Sequence, residues 1–69
     1  MIDLRNCKPG DKLISRGGKE LTYVNFIEEE PIYPHMVRGR ERLGSRCHDG
    51  KFWADGSETD EDVVQIVSQ

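Results

Sequence analysis

Interruptions of the chain constrain this sequence more than any other feature. Pro9-Gly10, Gly17-Gly18, Pro31 with Pro34, Gly44, Asp49-Gly50 and Asp55-Gly56 punctuate it from end to end. Proline presets φ and glycine admits positive φ, so each of these sites favours a turn. The segments between them are short and rich in β-branched and aromatic residues, which suit a pleated, half-buried surface. Strands are therefore expected at Lys12–Arg16, Leu21–Ile27, His35–Arg40, Ser45–His48, Lys51–Trp53 and Val63–Val67. Gly17-Gly18 suits a two-residue hairpin reversal, and Asp49-Gly50 is a strong hairpin signal. Thr59 before Asp60, Glu61 and Asp62 could cap one helical turn, because first-turn acids suit the positive helix end. Glu28-Glu29-Glu30-Pro31 reads as a solvated loop.

Alternation along these strands selects a core of Leu13 or Ile14, Val24, Phe26, Val37 and Ile66, with Trp53 as a further core residue. Phe26 is expected to be an anchor, its truncation to Ala costing roughly 3–5 kcal/mol. With 69 residues the chain makes one domain. A chain of that size buries only ~60% of its unfolded surface. It cannot easily wall off a pocket of the usual ligand-binding size, roughly 300–1,000 Å³. A sizeable ligand would sit on a surface groove or between subunits, so a homo-oligomer is among the expected assemblies.

The expected architecture is all-β, a small SH3-like barrel of five or six short antiparallel strands with at most one helical turn. Lys8-Pro9-Gly10-Asp11 leads into the first strand, three hairpins follow, and a short acidic turn precedes the last strand, an order that resembles an SH3-like barrel. An oligonucleotide-binding barrel is the alternative, although it usually needs more residues and an interposed helix.

Charge is segregated along the chain. From Pro34 to Trp53 there are five basic residues (Arg38, Arg40, Arg42, Arg46, Lys51) and two acids (Glu41, Asp49), or +3. The remainder has five basic and eleven acidic residues, or −6, which gives the net −3. An acidic whole argues against a protein that coats nucleic acid indiscriminately. A basic segment within it argues for a local anion site. On an extended strand Arg38 and Arg40 share a face. A hairpin return would bring Arg46 beside them, and guanidinium groups in a row match phosphate geometry. Lys51 adds a less directional charge, and Tyr33, His35 and Trp53 are candidates for stacking on a base. Tyr33, His35, Arg38, Arg40, Arg46 and Lys51 thus form the candidate ligand site. The competing reading is a solvated strand face whose arginines pair with Glu28–Glu30 or with the acidic tail.

Catalytic and metal readings are weaker. Ser45, His48 and Asp49 include the residue types of a hydrolase triad, but triads are assembled by geometry rather than adjacency. Cys47 and His48 are neighbours on an expected strand and would point to opposite faces, leaving Cys47 as a small buried apolar residue. Cys7, His35, Cys47 and His48 lack the paired Cys-x-x-Cys spacing of a zinc knuckle. The acidic run from Asp55 to Asp62 lacks the glycine and terminal glutamate of a calcium loop. No enzyme activity, metal or cofactor is expected.

Met1–Arg5 lacks the apolar run of a signal peptide, and no window approaches the ~20 apolar residues of a spanning helix. A cytoplasmic location is expected, with Cys7 and Cys47 as free thiols. Several segments taken together, Asp3–Asp11, Leu21–Val24, Tyr33–Arg38, Gly44-Ser45-Arg46, Asp49-Gly50 and Glu61–Val64, resemble small uncharacterised proteins carried by bacteriophages and prophages. That resemblance implies an accessory protein in the cytoplasm of an infected bacterium and assigns no site residue. The expected partners are an anionic ligand, either a nucleotide messenger or single-stranded nucleic acid. The alternative is a host or phage protein modulated through a barrel edge.

Overall fold

The computed structural model describes residues 2–67. A 3-10 turn (Leu4–Asn6) precedes five strands: β1 (Lys12–Ser15), β2 (Glu20–Phe26), β3 (His35–Arg38), β4 (Leu43–Arg46) and β5 (Val63–Val67). All pairings are antiparallel, in the order β4-β3-β2-β1-β5. Four strands form a meander and the fifth returns beside the first. The sheet is open between β4 and β5. There the turn after β4 reaches across, and Val63 N donates to Gly50 O at 2.9 Å. The expected all-β fold is borne out, with the bounds of five of the six expected strands within a few residues.

Four local expectations are corrected. Lys51–Trp53 is not a strand, since Phe52 N donates to the Asp62 carboxylate and Ala54 N to the Tyr33 hydroxyl rather than to a ladder. The helical turn lies at Leu4–Asn6, where Asp3 accepts from Arg5 N as its N-cap. At Thr59 the chain makes a turn rather than a helix, with the Thr59 hydroxyl accepting from Glu61 N and the Asp62 carboxylate accepting from Thr59 N. The β1–β2 reversal uses three residues, not two. Ser15 N donates to Lys19 O and Gly18 N to Ser15 O, with Gly18 at φ 86°, the pattern of a turn followed by a left-handed glycine.

The fourth correction concerns which face of β2 is inward. Leu21 and Tyr23 are buried, together with Leu4, Leu13, Val37 and Val63. Val24 is half-buried, and Phe26 is 45% exposed. The β2–β3 register passes from Tyr23–Val37 to Asn25–Met36, so Val24 is the extra residue of a bulge, which breaks simple alternation. Both phases of Leu-Thr-Tyr-Val-Asn-Phe-Ile are apolar enough to face a core. Tyr23 goes inward because His35, also fully buried, bonds its hydroxyl at 2.7 Å. Ile66 packs against the core only in part, and Trp53 is 51% exposed. Leu13 and Val37 are buried as expected.

Asp62 ties the irregular half of the chain to the sheet. Its buried carboxylate accepts from Phe52 N, Thr59 N, the Thr59 hydroxyl and Arg16 Nη2, at 2.9 to 3.2 Å. Lys51 Nζ stands 3.5 Å away. Burial alone would raise its pKa, but these donors outweigh burial and hold the carboxyl well below the usual range. The long connection from β4 to β5 is thus ordered by one side chain rather than by a strand.

Candidate functional site

The β3–β4 hairpin builds the basic region. Gly39 N donates to Arg42 O at 2.9 Å, closing a turn that carries Arg40 and Glu41. β3 ends at Arg38, so strand alternation does not extend to Arg40. Arg38, Arg40 and Arg42 are exposed and form no ion pair with the described residues. They line one open groove of about 1450 Å³ with Tyr33, Met36, Leu43, Phe52 and Trp53. The groove also carries Glu20, Glu30, Glu41 and Glu61. Two of these are engaged internally, Glu20 with Lys12 and Glu61 with Lys19 and Arg46.

The predicted row is only partly assembled. Arg38 and Arg40 lie in the groove beside Tyr33, whose hydroxyl accepts from Ala54 N at 2.9 Å. Arg46 also borders the groove but does not project beside Arg38. By register Arg46 opposes His35, and Arg38 opposes Leu43, so the two arginines belong to opposite faces of the hairpin. The Arg46 side chain is 3% exposed, donating from Nε to Glu61 O and from Nη1 to Ser45 O. Its guanidinium stands 4.9 Å from the centre of the Phe52 ring, a cation–π contact. Burial pushes its pKa down, with Glu61 and Asp62 opposing that shift. Arg46 is structural, paired with the acidic segment as the competing reading had it. Lys51 likewise turns to Asp62. Sequence reasoning missed Arg42 and placed Trp53 in the core. Their shared loop positions next to Pro34–Trp53's other charges were the available signal.

His35 lies outside the groove, in a hydrogen-bonded chain that runs from buried Tyr23 to the exposed His48. Tyr23 Oη is 2.7 Å from His35 Nδ1, and His35 Nε2 is 2.8 Å from His48 Nδ1. Phe26 covers both imidazoles, its ring centre 5.3 Å from that of His35 and 6.4 Å from that of His48. Burial lowers the His35 pKa, and the neighbouring His48 lowers it further. Burial likewise raises the Tyr23 hydroxyl's. A smaller recess of about 230 Å³, bounded by Arg5, Cys7, Asn25 and Phe26, opens beside Tyr23 and His35.

Neither catalytic constellation is assembled. His48 is hydrogen-bonded to His35 through Nδ1, and Asp49 accepts from Lys51 N at 3.0 Å. Burial pushes both the Cys7 and Cys47 thiols up, away from the reactive thiolate. Both cysteines are free, and Cys47 is half-buried rather than buried. Among the described residues no cluster of His, Cys, Asp and Glu is placed to hold a metal ion, and no helix is long and apolar enough to cross a membrane.

No protein-family model matches the chain, and no curated protein or solved structure matches it.

Proposed function

We propose that this protein is a non-enzymatic binding module whose basic groove takes a phosphate-bearing ligand, single-stranded nucleic acid in preference to a free nucleotide. One observation carries the reading: three exposed arginines without an ion-pair partner among the described residues, Arg38, Arg40 and Arg42, border the same groove as the exposed Trp53. Arginine supplies planar, paired donors for phosphate oxygens. An exposed indole offers a face on which any base can stack, for about 1–3 kcal/mol. The groove is open to solvent rather than enclosed, which suits an extended strand better than a sequestered mononucleotide. The likeness of several segments to phage-carried proteins supports a role as an accessory factor in a bacterial cytoplasm.

Trp53 is the sole tryptophan, so its fluorescence reports the groove directly. Titration with an oligothymidylate should quench it. Affinity should fall with salt at a log–log slope near −2, about −0.7 for each of three phosphate contacts. Replacing Arg38 and Arg40 together with Gln should remove most of that slope and leave the melting curve unchanged. Absence of quenching by oligonucleotides and by nucleotides would reject the reading. A second reading has its own observation: β4 is an edge strand, and Leu43 on it is 58% exposed. A partner protein adding a strand there would bind with little salt dependence.

A further inference from the structure

We propose that the Tyr23–His35–His48 chain is an acid-sensitive latch, holding the Cys47–Gly50 turn against the sheet while at most one of its imidazoles is charged and releasing it when both are. The inference is independent of the groove. It rests on the geometry of one contact, His35 Nε2 to His48 Nδ1 at 2.8 Å. A hydrogen bond there requires one nitrogen to donate and the other to accept. With both rings neutral, His35 donates to His48 and accepts from Tyr23, or the chain runs in the opposite direction. One added proton is still accommodated. His35 then donates at both nitrogens, or His48 donates to His35, and in either case the Tyr23 oxygen accepts. A second proton places N–H against N–H at this distance, and the contact must open.

His35 is fully buried, whereas His48 is exposed and sits in a turn. Opening therefore moves His48. That turn joins both ends of the structure to β4. Leu4 N donates to His48 O at 2.7 Å, Val63 N to Gly50 O at 2.9 Å, and Gly50 N closes the turn on Cys47 O. Release thus removes the bonds that tie the N-terminal 3-10 turn and the Val63 amide to this loop, while β5 keeps its pairing with β1.

The charged and titratable groups around the pair do not cancel the effect. From the N-terminal segment Asp3 favours charge on His35 and Arg5 opposes it. Those two are bound to each other through paired contacts of 2.9 to 3.2 Å, so their fields largely offset. Cys7 faces Tyr23 from the same segment, β2 contributes only the Tyr23 hydroxyl, and Phe26 adds an apolar cover. Asp49, in the turn itself, is engaged by Lys51 N, and Arg46, opposite His35 on β4, is engaged by Glu61 O and Ser45 O.

The test uses the whole chain, following imidazole nitrogens and amide-exchange protection by NMR as the pH is lowered from about 8 to about 4.5, the range in which histidines charge. Protection at Leu4, Gly50 and Val63 should fall by about tenfold or more as the second ring charges, while Tyr23 N in β2 keeps its protection. His48→Gln, which can still bond His35 but cannot charge, should abolish the local fall. Two charged rings with Leu4 and Val63 still protected would overturn the proposal. So would protection that persists to the lowest pH, a loss spread evenly over all strands, or an unchanged response in His48→Gln. If that variant does not fold, the wild-type nitrogen shifts and protection alone decide between release and no release.

Discussion

Asp62 Oδ1 accepts the Phe52 amide at 2.9 Å, and this bond stands where a strand pairing was expected. Through it a buried carboxylate fastens the β4–β5 connection to the base of β5. Replacing Asp62 with Ala leaves the Phe52 and Thr59 amides, Arg16 and Lys51 without that acceptor. Leaving buried donors without their acceptor costs about 1–3 kcal/mol. Urea denaturation should show this loss, and a change below about 1 kcal/mol would remove Asp62 from its central role.

The pH dependence of stability should have two acid limbs. Burial holds the folded pKa of His35 below the ordinary imidazole value of 6.5. Its contribution is therefore complete above that pH and is lost as pH falls from there through the lowered native value. Asp62 is depressed from 3.8, so its contribution is complete above that pH and is lost only in stronger acid. Denaturation midpoints should fall first below about pH 6.5 and again below about pH 4. Asp62→Asn should lack the second limb and His35→Gln the first.

Gly50 has φ 85°, and a Cβ there would lie 2.5 Å from Val63 O. Gly10, at φ 96°, has nothing within 4 Å of the same position. Both alanine variants incur the left-handed strain of about 1–2 kcal/mol, but only Gly50→Ala must also push β5 away. Thermal melts should rank Gly50→Ala well below Gly10→Ala. Equal melting temperatures would mean that the loop gives way freely.

Phe26→Ala and Leu13→Ala separate the observed core from the expected one. Leu13 is fully buried, and its truncation should cost about 2–5 kcal/mol. Phe26 is half in solvent and should cost less, about 1–2 kcal/mol, the low side of aromatic burial. The reverse ranking would restore Phe26 as the anchor.

Arg46→Gln and the Arg38→Gln/Arg40→Gln pair should behave oppositely. Arg46→Gln breaks contacts to Glu61 and Phe52 in a buried setting and should lower the melting temperature by several degrees, since 1 kcal/mol shifts Tm by roughly 4–8 °C in a domain this small. The exposed pair should leave Tm unchanged and weaken oligonucleotide binding. Both sets acting on binding alone would return Arg46 to the ligand site.

The strands could be read because their signals are local. Pro31 and Pro34 keep the ladder from the connection between β2 and β3, and β-branched runs fill the spans between turns. The phase of β2 was not local. Val24 with Phe26, and Leu21 with Tyr23, are equally good apolar sets, and the bulge with the His35 bond selected the second. The groove was half legible. Arg38, Arg40 and Tyr33 stood out by charge and composition, whereas the divergence of Arg46 depended on a hairpin register that no nearby residue specifies.

By itself the sequence determined an all-β chain, its turn sites and a basic segment in an acidic protein, because backbone preference and formal charge belong to individual residues and their immediate neighbours. Only the tertiary structure decided which arginines face solvent, that Lys51–Trp53 is held by Asp62, and that two histidines thirteen positions apart share one hydrogen bond. Those outcomes depend on pairing and burial between distant segments, where a buried polar group must find its partner wherever the fold brings one.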